Sequence, residues 1–128
     1  SKKVNYHIIL PEENCITIDL NQHLFEWALE NLIKNAIDAM SGMGDLTIEL
    51  KSDSKKIYID VSDTGKGVPK RDFKKIFYPG FTTKERGWGM GLSLVKRIIE
   101  EYHKGKVFIK HSALGKGTTF RIILKKAN

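Results

Sequence analysis

The sequence predicts an α+β fold, a two-layer sandwich built from three helices and about six strands. Short segments with period-two alternation occur in hairpin-like pairs, which is how neighbouring strands read. Longer stretches between them repeat apolar residues every three or four positions, which is how amphipathic helices read. Elements of both kinds, each with one apolar face, bury those faces against one another as layers. A chain of 128 residues suits one domain around a single core.

Val4 to Leu10 reads as the first strand, and Pro11-Glu12-Glu13-Asn14 as a turn. Ile16 to Leu20 alternates Ile16, Ile18 and Leu20 against Thr17 and Asp19 and is expected to pair with that strand. Asn21 is a candidate N-cap for a helix running to about Met40. The helix buries Phe25, Ala28, Leu29, Leu32, Ile33, Ala36, Ile37 and Met40, and Gly42 suits the left-handed position after it. Leu46 to Lys51 and Ile57 to Val61 alternate on either side of a turn and form a hairpin.

Asp63-Thr64-Gly65-Lys66-Gly67-Val68-Pro69 follows directly. Pro69 opens a short helix, about Lys70 to Phe77, with Phe73, Ile76 and Phe77 inward. Tyr78 to Met90 has no periodicity, one proline and three glycines, and reads as a mobile loop. Gly91 to His103 is helical, burying Leu92, Leu94, Val95, Ile98 and Ile99, and Gly105 stops it. Val107 to Lys110 and Thr118 to Leu124, joined through Gly115-Lys116-Gly117, close the chain as strands.

Composition narrows the function. Hydrophobic residues make up 41% and aromatics 9%, as in ordinary globular domains. No apolar run approaches the ~20 residues of a membrane span, and no signal-peptide pattern opens the chain. Cys15 is the only cysteine, so no internal disulfide can form, and a reducing cytoplasm is the expected setting. The net charge of +7 points to anionic partners. The basic residues are scattered without an aromatic stacking platform, which argues against nucleic acid.

Four clusters could carry chemistry. On the first helix Asn31, Asn35 and Asp38 fall within about 60° of one another, a polar strip beside the apolar face. Such residues are poor in helix interiors, so the strip suits either a polar ligand such as hydrated Mg²⁺ or a solvated face. Asp63-x-Gly65-x-Gly67 ends a strand, where a buried carboxylate could accept from an exocyclic amine, or simply form a turn. Gly87, Gly89 and Gly91 feed a helix N-terminus and, with Thr82, Thr83 and Lys84, could cradle phosphate. The chain lacks the Walker G-x-x-x-x-G-K-[ST]. Gly115-Lys116-Gly117-Thr118-Thr119-Phe120 is the fourth.

In this order and on these elements, the clusters closely resemble the catalytic and ATP-binding domain of sensor histidine kinases. That domain belongs to the GHKL superfamily, with type II topoisomerases, Hsp90 chaperones and MutL ATPases. Asn31-Leu32-Ile33-Lys34-Asn35-Ala36 resembles the N box, Asp63-Thr64-Gly65-Lys66-Gly67 the G1 box, and Phe73 to Phe81 the F box. Gly87-Trp88-Gly89-Met90-Gly91-Leu92 resembles the G2 box, and Gly115 to Phe120 the G3 region. The resemblance implies the Bergerat fold, with a mixed sheet of about five to six strands on three helices and a flexible ATP lid. It spans about Asn5 to Leu124.

By that resemblance Asn35 is the expected Mg²⁺ ligand and Asn31 its neighbour toward the phosphates. Asp63 should accept the adenine amine, with Gly65, Gly67 and Thr118 completing the base pocket. Thr82, Thr83 and Lys84 should meet the terminal phosphates, and Gly87, Gly89, Met90, Gly91 and Leu92 should wrap the phosphate chain. Phe77 and Phe81 should anchor the lid hinge. Asp38 lies at the edge of the N box, and Trp88 at a variable place in the G2 box.

ATP-hydrolysing members of the superfamily carry a glutamate as general base four residues before the Mg²⁺ asparagine. That position is Asn31 here, and Glu30 points about 100° away around the helix. A site without a water-activating base suits phosphoryl transfer to a protein nucleophile. The resemblance therefore implies a protein-histidine kinase, using ATP and Mg²⁺, in two-component signalling. The alternative is a GHKL protein Ser/Thr kinase of anti-sigma type. None of His7, His23, His103 and His111 has the context of the accepting histidine, which implies an excised domain, residues 1–128. The implied partners are the parent's own dimerisation and phosphoacceptor domain and a response regulator. The parent is expected to be a cytoplasmic homodimer or one anchored in the inner membrane, with this fragment a monomer.

Overall fold

In a computed structural model the chain is described over residues 3–12, 16–81 and 91–127. Five strands form one sheet: β1 (Val4–Ile9), β2 (Gly44–Ser52), β3 (Lys56–Asp63), β4 (Lys106–Ala113) and β5 (Gly117–Lys125). Their order is β1-β2-β3-β5-β4. The β1–β2 pair is parallel and the others antiparallel, so the sheet is mixed as expected. Two helices, α1 (Gln22–Ala39) and α2 (Gly91–Arg97), cover one face.

The first helix begins where the sequence indicates. The Asn21 side chain accepts from Leu24 N–H at 3.1 Å, satisfying one of the free N–H groups of the first turn. At the other end Gly42 takes φ +76°, and its N–H reaches the Ile37 carbonyl at 3.0 Å. Ala28, Leu32, Ala36 and Met40 form the buried stripe. The two alanines leave room for close packing, and Leu32 fills the space between them.

Three expectations change. The segment Ile16–Leu20 is not a strand; Thr17 instead accepts from Ala127 N–H at 2.8 Å, beside the end of the chain. Among the described residues β1 pairs with β2 instead, across α1. A parallel neighbour requires such a crossover, and a helix supplies it. The region expected to be one short helix is two separate 3₁₀ turns, Lys70–Asp72 and Lys75–Phe77, with Ile76 and Phe77 buried. Finally, α2 widens into a π turn over Ile98–Tyr102. His103 Nδ1 lies 2.9 Å from the Ile98 carbonyl, and Gly105 N–H reaches that of Ile99 at 2.9 Å. These contacts satisfy carbonyls that a helix end leaves open.

The core lies between the helices and the sheet. Leu46, Ile57, Ile59, Val61, Val107, Ile109, Phe120, Ile122 and Leu124 meet Val95, Ile98, Ile99 and the α1 stripe there. On the opposite face Asp60 is buried, and Arg121 grips it with two hydrogen bonds, Nε to Oδ1 at 2.7 Å and a terminal guanidinium nitrogen to Oδ2 at 2.9 Å. Burial opposes ionisation of Asp60, but Arg121, with Lys110 and Lys51 alongside, outweighs it and holds the carboxyl below its ordinary range.

Candidate nucleotide-binding site

A cavity of about 410 Å³ opens between α1, the end of β3 and the start of α2. Asn31, Asn35 and Asp38 all line it from α1, so the polar strip faces a cavity rather than open solvent. Asn31 Nδ2 donates to the Trp27 carbonyl one turn back, at 2.9 Å. That bond takes one of the two amide N–H groups and turns Oδ1 away from the Trp27 carbonyl. Oδ1 lies 3.5 Å from where a Cβ on Gly91 would sit, so the asparagine faces the first residue of α2.

Asp63 forms the opposite wall. It is 7% exposed, and its Oδ1 accepts from Gly65 N–H at 2.8 Å and Thr118 N–H at 3.3 Å. Both of these bonds end on one oxygen, so Oδ2 is the atom available to a donor in the cavity. Burial pushes this carboxyl above its ordinary range, and the two N–H bonds counter that in part. An acidic group raised by desolvation on a cavity wall is a mark of a functional position.

The glycines of this region serve packing as well as approach. A side chain at Gly65 would meet the Ala39 carbonyl oxygen at 2.5 Å, so the loop after β3 lies directly against the end of α1. Lys66 N–H bonds the same carbonyl at 3.0 Å. Gly65 is therefore buried under the cavity and does not line it, whereas Gly67 does. Gly67 takes φ +80° and abuts the Ala113 carbonyl.

Apolar side chains complete much of the lining: Val68, Ile76, Phe81, Leu92, Leu114 and Phe120. Phe77 is buried behind them, edge-on to Phe120 with centroids 5.9 Å apart. Thr118 joins the wall from β5, and Gly91 and Leu92 from α2. Thr82, Thr83, Lys84, Gly87, Trp88, Gly89 and Met90, and with them the expected lid, lie outside the described residues.

A largely apolar cavity with one buried carboxylate on one wall, and a strip of amide and carboxylate oxygens on the other, can take a ligand that is apolar and hydrogen-bond-donating at one end and polar at the other. The profile of the histidine kinase-, DNA gyrase B- and HSP90-like ATPase family matches residues 20–128. The chain belongs to this ATPase family. It is 36% identical to sporulation kinase A of Bacillus subtilis over 115 residues, covering 90% of this chain and 19% of that protein. The fold matches the nucleotide-free catalytic domain of the histidine kinase ThkA with a TM-score of 0.84 at 28% identity, over 96% of this chain and 79% of the other. ThkA solved in complex with the response regulator protein TrrA matches with a TM-score of 0.81 at 26% identity, over 97% of this chain and 34% of the other. The chain spans 19 to 22% of the length of three curated relatives it matches.

Several residues at the cavity or beside it, within the boxes and outside them, were missed by sequence reasoning. Lys34, Lys66 and Arg71 bring positive charge to the cavity, yet each stands at a place where charge reads as ordinary surface. Ser112 was also missed, although Val68 N–H donates to its hydroxyl at 2.8 Å and Thr118 Oγ1 lies 2.7 Å away. A serine near the end of a strand carries no signal of such a role.

Proposed function

We propose that this domain binds ATP with Mg²⁺ in the cavity and transfers the terminal phosphoryl group to a histidine on the dimerisation domain of its parent kinase. The observation that carries this reading is that Asp63 and the strip Asn31, Asn35 and Asp38 line one cavity from opposite sides. Membership of the ATPase family and the kinase names of its relatives support it.

The residues present fit the cation. Among the described residues no group of three or more His, Cys, Asp or Glu side chains could hold a metal alone. Mg²⁺ is commonly held by few protein oxygens together with phosphates and water. Asn35 would hold it, with Asn31 beside it, and the ion would supply charge neutralisation for the phosphate chain. Asp63 accepts the adenine amine, and Thr118 and Gly67 shape the base pocket. Lys34, Lys66 and Arg71 line the same cavity as Asp38, Asp63 and Asp72, so they offset the acidic side chains that an anionic nucleotide would otherwise meet. On the same reading Thr82, Thr83, Lys84, Gly87, Gly89 and Met90 are the residues proposed to contact the phosphates.

Asn31 stands where a hydrolytic relative would hold a base, and an amide cannot take a proton from water. The site therefore positions ATP for an incoming side chain instead of activating solvent. A response regulator would receive the phosphoryl group afterwards, in a cytoplasmic two-component system. No described helix is long and apolar enough to cross a membrane.

The test is phosphotransfer from labelled ATP to the separately supplied dimerisation domain. The expected product loses its label in acid and keeps it in base, as phosphohistidine does. An acid-stable product would overturn the histidine assignment in favour of a hydroxyl acceptor.

A further inference from the structure

The Ser112 hydroxyl makes three contacts with a single proton to share. Val68 N–H donates to its Oγ at 2.8 Å. The Gly117 carbonyl lies 3.1 Å away, and Thr118 Oγ1 2.7 Å away. A carbonyl only accepts, so the Gly117 contact requires the Ser112 proton. With that proton spent and Val68 on one lone pair, Ser112 can meet Thr118 only as acceptor. One arrangement satisfies all three contacts: Val68 N–H to Ser112, Ser112 O–H to Gly117, and Thr118 O–H to Ser112.

This arrangement fixes what Thr118 shows to the cavity it lines. Its proton points away toward β4, so only lone pairs remain for a ligand. Asp63, bonded to Thr118 N–H, is likewise an acceptor. Both polar groups on this wall are therefore acceptors, and they match the two N–H protons of a purine 6-amino group, whereas a 6-oxo group in the same place would set lone pairs against lone pairs.

A bulge creates the arrangement. The β4–β5 register shifts between Ile109 and His111, with Lys110 the extra residue. Buried Val107 and Ile109 would place His111 next on the inner face. The bulge advances the phase by one, leaves His111 exposed, and sets Ser112 opposite Thr118.

We infer that Ser112 is a positioning residue that holds the Thr118 hydroxyl as an acceptor and so makes the base pocket selective for a 6-amino purine over a 6-oxo purine. This rests on the reading of the cavity as an ATP site. Without the Ser112 oxygen the Thr118 hydroxyl is free to turn its proton toward the ligand and accept an oxo base. Asp63 continues to favour the amine, so the expected change is partial.

The test measures dissociation constants for ATP and ITP, by competition against a fluorescent adenosine nucleotide, in wild type, Ser112→Ala, Ser112→Thr and Ser112→Val. The last two differ only in a hydroxyl for a methyl, which separates the proton from the shape. The ATP-over-ITP preference is expected to fall roughly tenfold in Ser112→Ala and Ser112→Val, the worth of one good hydrogen bond, and to persist in Ser112→Thr. Equal weakening of both nucleotides in Ser112→Val, with the ratio kept, would overturn the proposal by showing a structural role alone. So would loss of the ratio in Ser112→Thr. A wild type that binds neither nucleotide would overturn the ATP reading itself and this inference with it.

Discussion

The backbone of Gly117 rests directly on the carbonyl group of Asp63: a Cβ at position 117 would fall on that oxygen. Gly117 also takes φ +127°, which an L side chain rarely adopts. Asp63, the residue proposed to read the ligand, and the turn that enters β5 are therefore one packed unit. Gly117→Ala must move one of them and is expected to cost about 2–4 kcal/mol in denaturant unfolding. It should also weaken ATP binding, because Thr118 N–H no longer meets Asp63. Unchanged stability and affinity would contradict this packing.

Asp63 gives the site a pH dependence. For the proposed contact with an amine N–H the ionised carboxylate is much the better acceptor, and burial raises the pKa of the free protein's Asp63 above the usual 3.8. ATP binding holds the carboxylate ionised, so affinity should fall as pH drops through that raised value. Below it, each pH unit costs up to about tenfold, because binding must first release the proton. Calorimetry across acidic pH would show the loss beginning above the ordinary aspartate range. The sign for stability is opposite to that of a salt-bridged aspartate: Asp63 favours folding below its unfolded pKa, and that contribution is lost as pH rises through the folded one.

Asp60 and Asp53 carry the usual sign. Asp53 accepts from Tyr58 Oη at 2.7 Å and from Lys55 and Lys56 N–H at 2.9 and 2.7 Å, which together lower its pKa to about 2. Both carboxylates favour folding above their unfolded pKa, near 4. That contribution is lost as pH falls through their folded values. Among the described residues, Arg121→Met leaves Asp60 with Lys110 and Lys51 as its cationic neighbours, at 3.6 and 3.8 Å. A loss of about 2–3 kcal/mol at neutral pH is expected in denaturant unfolding, with a smaller loss below pH 3. Equal losses at both pH values would contradict the ion-pair account.

Asn35 is half-buried on the cavity wall. Asn35→Ala removes an oxygen where the Mg²⁺–phosphate group is proposed to sit, while alanine suits the helix better by up to about 0.7 kcal/mol. Phosphotransfer to the dimerisation domain should fall by about two orders of magnitude with stability unchanged or slightly higher. Full phosphotransfer would remove Asn35 from the metal site.

Local signals were the legible ones. The Asn21 cap, the Gly42 stop, the β2–β3 hairpin and the polar strip of α1 depend on residues close in the chain, and they stand where spacing put them. Pairing across distance was not legible. Ile16–Leu20 alternates as well as any strand, yet β1 takes β2 as its neighbour, because pairing depends on how α1 crosses the sheet and not on alternation. Ser112 was hidden by the bulge at Lys110, which breaks the phase that alternation relies on. Gly65 was expected at the ligand and instead packs on Ala39, since a glycine's missing side chain says that something is close but not what.

The most direct test of the ATP site is calorimetric titration of ATP with Mg²⁺ into wild type and Asp63→Asn. An asparagine Oδ1 can still accept from Gly65 and Thr118 N–H, and a neutral amide avoids burying charge, so the variant should fold with equal or greater stability. Its amide nitrogen then faces the adenine amine donor to donor. The account predicts ATP binding by wild type and its loss, by at least about a hundredfold, in the folded variant. Equal affinity in the two proteins would contradict it.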